Sequence, residues 1–365
     1  MRHTALLASY YLSLWEVLIG LSFLVVGKVI GGYVMKYVFD MVRDDEEKPA
    51  DREKKSRKPP PVGSRRLLWA GLASLYAVSG LLQIRPALVT VTPAAFSPAV
   101  APLSEGAFVR GVVGSAAHLW FIDPVASNIV SVVLQWSLAI LLWLGRERLV
   151  GRIGLSLSLA VGILEWIFGE GFGFLASSAG YWTGSPGTGL LYAWGSVLLL
   201  LPDGAWRSGM VRRLGMRATA AFFALGAALQ VLHIARWGQM AAEIARWNQR
   251  LVPLGLLVWP SVMSQAAAHG AVVWFALATV AMLLLALLMW RVKWQAVGTV
   301  LSLVAVFVLW AGWRGFGSTV HFALNGGEFP VFAVLLLCVW FAPRGVTAAG
   351  RRHFQDSEGE DTTWT

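Results

Sequence analysis

Residues 155–202 read LSLSLAVGILEWIFGEGFGFLASSAGYWTGSPGTGLLYAWGSVLLLLP, two apolar runs joined by a Gly- and Ser-rich stretch that holds two acids. The first run, taken from about residue 153 to 174, is long enough as an α-helix to cross ~30 Å of hydrocarbon. Glu165 stands about 12 residues into it, roughly 18 Å along the axis at about 1.5 Å per residue, near the middle of a bilayer. An acid at that depth costs several kcal/mol unless it faces protein or a wet cavity, so the stretch predicts a membrane helix bundle with Glu165 turned inward. Glu170 lies about one and a half turns further on. On an α-helix the two acids point about 140° apart, so they need different partners.

Outward from this stretch the same signature recurs. The chain is 57% hydrophobic and 14% charged, with 19 Trp and a mean hydropathy of +0.63. A soluble domain carries about 25% charged residues to cover itself in water, so a soluble enzyme is excluded. The 38 Gly and 15 Pro follow no strict period, which excludes a collagen-like chain, and the abundance of aliphatic residues excludes a disordered one. Nine candidate spans appear, at about 5–30, 67–84, 126–144, 153–174, 188–202, 218–235, 270–290, 296–313 and 329–342. The first is long, contains Glu16 and lacks a small-residue cleavage pattern, so it reads as a membrane helix, not a signal peptide. The single cysteine, Cys338, lies in an apolar run and forms no thiol pair within the chain.

Charge sets the expected orientation. Residues 43–66, RDDEEKPADREKKSRKPPPVGSRR, hold nine Lys and Arg and too little apolar surface to order themselves. Placing this linker in the cytoplasm puts 23 basic residues inside and seven outside, with the N-terminus out and the C-terminus in. The formal net charge of +10 is therefore read as a basic cytoplasmic side in the lipid bilayer, with no nucleic-acid partner. The expected place is the bacterial cytoplasmic membrane.

The second half echoes the first. In LSLVAVFVLWAGWRGFGSTVHFALNGGEFPVFAVLLLCVWFAP, residues 301–343, Trp310 stands opposite Trp166, and Gly315, Phe316 and Gly317 stand opposite Gly171, Phe172 and Gly173. Upstream, Trp290 matches Trp143 and Ala268-His269 matches Ala117-His118. Four spans per unit is an even number, so both units enter the membrane in the same sense. The expected fold is therefore all-α and polytopic: nine transmembrane helices, as one N-terminal helix plus two parallel four-helix repeats. The boundaries are 1–42 for the first helix, 43–66 for the linker, 67–203 for the first unit, 204–217 for a cytoplasmic connection, 218–343 for the second unit and 344–365 for the tail.

Four-helix units with a long first outer loop, together with GLLQIRP (80–86) and FGEGFG (168–173), resemble the DoxX-type bacterial membrane proteins, best over residues 67–203. Some members of that family are subunits of thiosulfate:quinone oxidoreductases. The resemblance thus implies a redox-associated membrane subunit, handling quinone or haem near the outer face alongside other membrane subunits. It carries over no catalytic residue, and the first helix and linker fall outside it. The alternative is a non-enzymatic permease for small solutes or an assembly partner in a membrane complex.

The ionisable residues in or beside the spans are the candidate sites. They are the acids Glu16, Glu165 and Glu170, and Arg314, which precedes Gly-Phe-Gly in unit two where Glu170 precedes it in unit one. His118, His233, His269 and His321 all fall on the predicted outer side. No pair has metal-ligand spacing, so no metal site is expected from local sequence; histidines from facing helices remain the route to haem. Residues 85–125 and 236–269 hold apolar stretches broken by Pro and read as interfacial segments over the bundle, with Trp120, Trp237, Trp247 and Trp259 as an aromatic belt. Residues 171–173 lack the strand that a dinucleotide fingerprint needs, and their glycines read as a helix end.

Overall fold

A computed structural model describes residues 62–83, 106–122, 124–144, 149–174, 187–238, 242, 270–314 and 328–343. Glu16, His269, His321, the first span, most of the linker and nearly all of 239–269 lie outside the described residues. The described residues fold into helices with no strand among them. These are α1 (Gly63–Gln83), α2 (Ala107–Ile122), α3 (Pro124–Leu144), α4 (Leu149–Leu164), α5 (Thr188–Leu200), the short α6 (Asp203–Arg207), α7 (Met210–Leu232), α8 (Ala271–Trp290), α9 (Gln295–Arg314) and α10 (Glu328–Trp340). Among the described residues four stretches are long and apolar enough to cross a membrane: Leu149–Gly169, Met210–Leu232, Val272–Trp290 and Val292–Leu309. Three shorter apolar helices, Ser127–Trp143, Thr188–Leu200 and Phe329–Trp340, lie within the spans read from sequence. α1 starts four residues before its apolar run: Ser64 is buried, while Arg65 Nη1 donates to Asp203 Oδ1 at 2.5 Å and Nη2 to the Leu199 carbonyl at 3.0 Å. The pair is partly solvated, so its energy is small, but it fixes where α5, α6 and α1 meet.

Packing follows two rings. In the first half α1 packs on α3, α3 on α4, α4 on α5 and α5 on α1; in the second, α7 packs on α8, α8 on α9, α9 on α10 and α10 on α7. α10 also packs on α1 and α5 and so joins the halves. The seams correspond in detail. Gly154 opens α4 to Leu141 and Leu142 of α3, and Gly298 opens α9 to Leu288 and Met289 of α8. The buried residues of α3 are Asn128, Gln135, Leu138, Ala139 and Leu142 and those of α8 are Phe275, Thr279, Met282, Leu285 and Met289; all but Ala139 and Thr279 pair at a separation of 147 residues.

The ends of the bundle differ. Trp69 Nε1 donates to the Leu142 carbonyl at 2.5 Å and Trp206 Nε1 to that of Leu198 at 3.1 Å. Arg212 donates to the Trp340 carbonyl and stacks on the Trp340 ring. These contacts gather the start of α1 and α7 and the end of α3, α5 and α10 at one end, where Arg65, Arg66, Arg152, Arg207, Arg212, Arg213, Arg217, Arg291 and Lys293 lie. At the opposite end, where α1 finishes at Gln83, the described cations are Arg110, Arg236 and Arg314.

Candidate functional site

The chain leaves α4 through strained backbone. Glu165–Gly169 is a turn of π-helix, closed by the Glu170 N–H donating to the Glu165 carbonyl at 2.9 Å. Single π turns interrupt helices where local geometry is put to use, and here the turn begins at one acid, Glu165, and is capped by the other, Glu170. The α-helical separation of about 140° does not apply to it, because its residues turn less per step. Beyond it, Gly171, Phe172 and Gly173 take φ of 52°, 61° and 68°. Two glycines accept this left-handed path; Phe172 does so at roughly 1–2 kcal/mol. Aromatic packing holds it there: the edge of Trp166 at 5.4 Å and the Phe108 ring from α2 at 6.2 Å. α2 thus lies across the π turn and the Gly-Phe-Gly segment, within the region read as an interfacial cover.

Glu170 turns to the start of α5. One carboxylate oxygen accepts the Thr188 N–H at 2.7 Å and the other the Gly189 N–H at 3.1 Å. A helix begins with N–H groups that have no partner within it, so a carboxylate here both satisfies donors and meets the positive end of the helix dipole. Gly187, at φ 96°, leaves the space the carboxylate occupies. Behind it α4 and α5 cross with backbones nearly touching: a Cβ on Gly162 would come within 2.6 Å of the Gly189 carbonyl oxygen, and one on Gly189 within 2.5 Å of that of Gly162.

Inside the ring lies a chain of hydroxyls. Tyr76 OH is 2.8 Å from Ser158 Oγ, which is 2.8 Å from Ser196 Oγ, which donates to the Tyr192 carbonyl at 2.9 Å. The last bond fixes all the directions: Ser196 spends its proton on the carbonyl, so Ser158 donates to Ser196 and Tyr76 to Ser158. A chain ending on a carbonyl passes no proton further; it locks three helices and orients Tyr76. The Tyr192 ring lies against that of Tyr76, with centroids 4.4 Å apart. Its hydroxyl is buried without a hydrogen-bond partner, Ser79 stands close by without completing one, and Glu165 lies within electrostatic reach of both phenols. Toward the Gln83 end, Gln83 Nε2 donates to Asn128 Oδ1 at 2.6 Å and Asn128 Nδ2 donates to the Gln83 carbonyl at 2.9 Å.

Of the candidates read from sequence, Glu165 and Glu170 come together in this site, both half-buried. His118 is exposed on α2. His233 follows α7 in the other ring, its Nδ1 2.9 Å from the Leu229 carbonyl. Arg314 ends α9, with its side chain outside the described residues. No group of three or more His, Cys, Asp or Glu able to hold a metal ion occurs among the described residues. The sequence reading passed over Tyr76, Ser79, Gln83, Asn128, Ser158, Tyr192 and Ser196. Their signal was available: Tyr76, Ser79 and Gln83 are spaced to share one face of an otherwise apolar helix, as are Tyr192 and Ser196. Comparison with known protein families, curated proteins and solved structures yields no match.

Proposed function

We propose that this is an integral protein of the bacterial cytoplasmic membrane, N-terminus outside and C-terminus inside. On this reading its first four-helix unit binds the head group of a small hydrogen-bonding ligand, and a membrane quinone suits the donor set best. The membrane reading rests on four spanning-length apolar helices whose outward sides stay apolar, with Val272, Leu277, Leu284, Val300 and Val304 all more than half exposed. In water such faces would be costly; in lipid they are at home. The concentration of arginines at one end supports the orientation. Two tandem units, nine spans and the DoxX-like resemblance belong to the same proposal. The matched rings, the paired glycines Gly154 and Gly298, and the buried faces of α3 and α8 in common register support the tandem arrangement.

The observation that carries the ligand reading is the Tyr192 hydroxyl. Buried polar groups find partners, and this hydroxyl has none beyond the near approach of Ser79, while Glu165 lies within electrostatic reach of it. A quinone carbonyl is an acceptor; Tyr192 supplies a donor to it, and Glu165 in its acid form a second. Tyr76, held by Ser158, keeps the aromatic wall in place. When bound, a quinone supplies two-electron carrier chemistry; the residues of this chain bind it, orient it and hold a proton at the Glu165 carboxyl. For haem the donor set is poorer, since the described histidines are one exposed on α2 and one at the end of α7.

The test is organic extraction of the purified protein. The expected result is co-purified quinone in the wild type and at least a severalfold loss in Tyr192→Phe and Glu165→Gln. A colourless, quinone-free protein that added quinone does not stabilise would sink this reading in favour of a permease or an assembly partner.

A further inference from the structure

The turn between α8 and α9 reads Trp290-Arg291-Val292-Lys293-Trp294 and lies at the arginine-rich end. It is internally bonded: the Arg291 N–H donates to the Leu287 carbonyl at 3.1 Å and the Trp294 N–H to that of Arg291 at 2.9 Å. Its side chains nevertheless point outward. Val292 is 83% exposed, and Trp290 and Trp294 are exposed at 62% and 49%. In a turn facing water, apolar residues alternating with cations would have no purpose; at the head-group level of a bilayer, tryptophans and cations are the residues that settle.

The cations are arranged around the aromatic rings. The Arg217 guanidinium, from α7, lies 6.0 Å from the Trp290 ring centre, and the Lys293 ammonium 5.9 Å from that of Trp294. Arg213 is one turn before Arg217 on the same exposed side of α7 and anchors on the Ser208 carbonyl at 3.3 Å. Acids are few in this half of the chain. From Asp203, which Arg65 engages, to Glu328 the sequence holds one acid, Glu243.

We propose that Arg217, Arg291 and Lys293, framed by Trp290 and Trp294, bind the phosphodiester head group of an anionic phospholipid in the cytoplasmic leaflet. The inference rests on the membrane reading but not on the ligand site in the first unit. The positive cluster attracts an anionic head group, and the two indoles sit at the depth of the lipid glycerol. A zwitterionic lipid presents the same phosphate beside its own cation, which the cluster repels.

The full chain, purified in mild detergent, would be titrated with phosphatidylglycerol or phosphatidylcholine, reading bound lipid by native mass spectrometry and thermal unfolding in parallel. About tenfold preferential retention of phosphatidylglycerol is expected. The preference should vanish in the combined Arg217→Gln, Arg291→Gln, Lys293→Gln variant and weaken in Trp290→Leu, whose charges are intact. Inorganic phosphate at millimolar concentration should not displace the lipid; if it does, the cluster is an anion site and the lipid assignment is wrong. Equal retention of both lipids, or an unchanged preference in the triple variant, overturns the proposal. A chain that stays dispersed without detergent would instead refute the membrane reading beneath it.

Discussion

The two four-helix rings share their seams and differ in their interiors. On the tandem-unit reading, positions on α1 and α3 correspond to those on α7 and α8 at an offset of 147, and positions on α4 to those on α9 at 144. The seams survive this superposition: Gly154 answers Gly298, and Leu142 answers Met289, both fully buried. The polar interior does not. Tyr76 corresponds to Phe223, Glu165 to Leu309, Asn128 to Phe275 and Gln135 to Met282. Where Asn128 donates to the Gln83 carbonyl in the first ring, the Trp237 indole donates to the Gln230 carbonyl at 2.9 Å and stacks on Phe275. Ser302, the counterpart of Ser158, is buried with its hydroxyl unpartnered. Apolar packing dominates the second ring, whose buried polar residues are Arg212, Gln230, Thr279, Thr299 and Ser302, so the tyrosines, the Asn128 amide and the acids of the first are not needed to hold such a ring. They mark the site.

The sharpest way to break this comparison is at the α4–α5 crossing. Gly162 corresponds to Val306, a partly buried residue packed on the core, so the second ring has room where the first has none. Gly162→Val should destabilise by about 3 kcal/mol or more, because the new side chain must displace the Gly189 carbonyl and the Ala193 N–H. Val306→Gly should cost about 1–2 kcal/mol through helix propensity and lost packing. Thermal unfolding in detergent ranks the two; equal losses would show that the crossings are not distinguished by their glycines.

Next in size is the cap. Glu170→Ala removes both acceptors from the start of α5 and should cost about 1–2 kcal/mol, while Glu170→Gln, which keeps one oxygen, should cost about half as much. Gly187→Ala should act in the same direction, since its methyl group enters the carboxylate position at a left-handed φ. Hydrogen exchange at Thr188 and Gly189 reads the effect directly. Unchanged protection in Glu170→Ala would remove the carboxylate from its capping role.

Much of this architecture was legible in the sequence, for a physical reason. Long apolar runs stand out in a sequence, so three short apolar helices fall within the spans that hydropathy placed and four longer ones overlap theirs. Met210–Leu232 begins eight residues early, inside the stretch read as a connection, while Gly171 and Gly173 follow the π turn with left-handed backbone. The acids Glu165 and Glu170 stood out because ionisable groups are rare at that depth. What pattern reading missed is the π turn, which shifts every side chain after Glu165 off the α-helical wheel, and the pairing of Glu170 with a helix start 18 residues away. Tyr76, Ser158 and Ser196 escaped because hydroxyls are common in apolar helices, and only packing decides which of them meet.

The smallest effect is also the most specific to the comparison. If Phe223 and Ser302 occupy the places that Tyr76 and Ser158 occupy in the first ring, Ser302 lacks only the oxygen at the tip of the ring. Phe223→Tyr then supplies a partner to a buried hydroxyl that has none, and the net gain is about 1 kcal/mol, reduced by whatever the added oxygen displaces. Tyr76→Phe does the reverse. It leaves the ring contact with Tyr192 in place, deletes one bond of the chain and should cost about 1 kcal/mol. Combining the two tests independence: the rings meet through α10, so the changes should add to within about 0.5 kcal/mol and nearly cancel. The chemistry should not cancel. Quinone retention should fall in Tyr76→Phe and stay low in the double variant, since a hydroxyl placed in the second ring has no Glu165 or Tyr192 beside it. Phe223→Tyr that destabilises as strongly as an overpacked core position would show that Phe223 and Ser302 do not face one another, and the correspondence between the rings would fail where it is most exact.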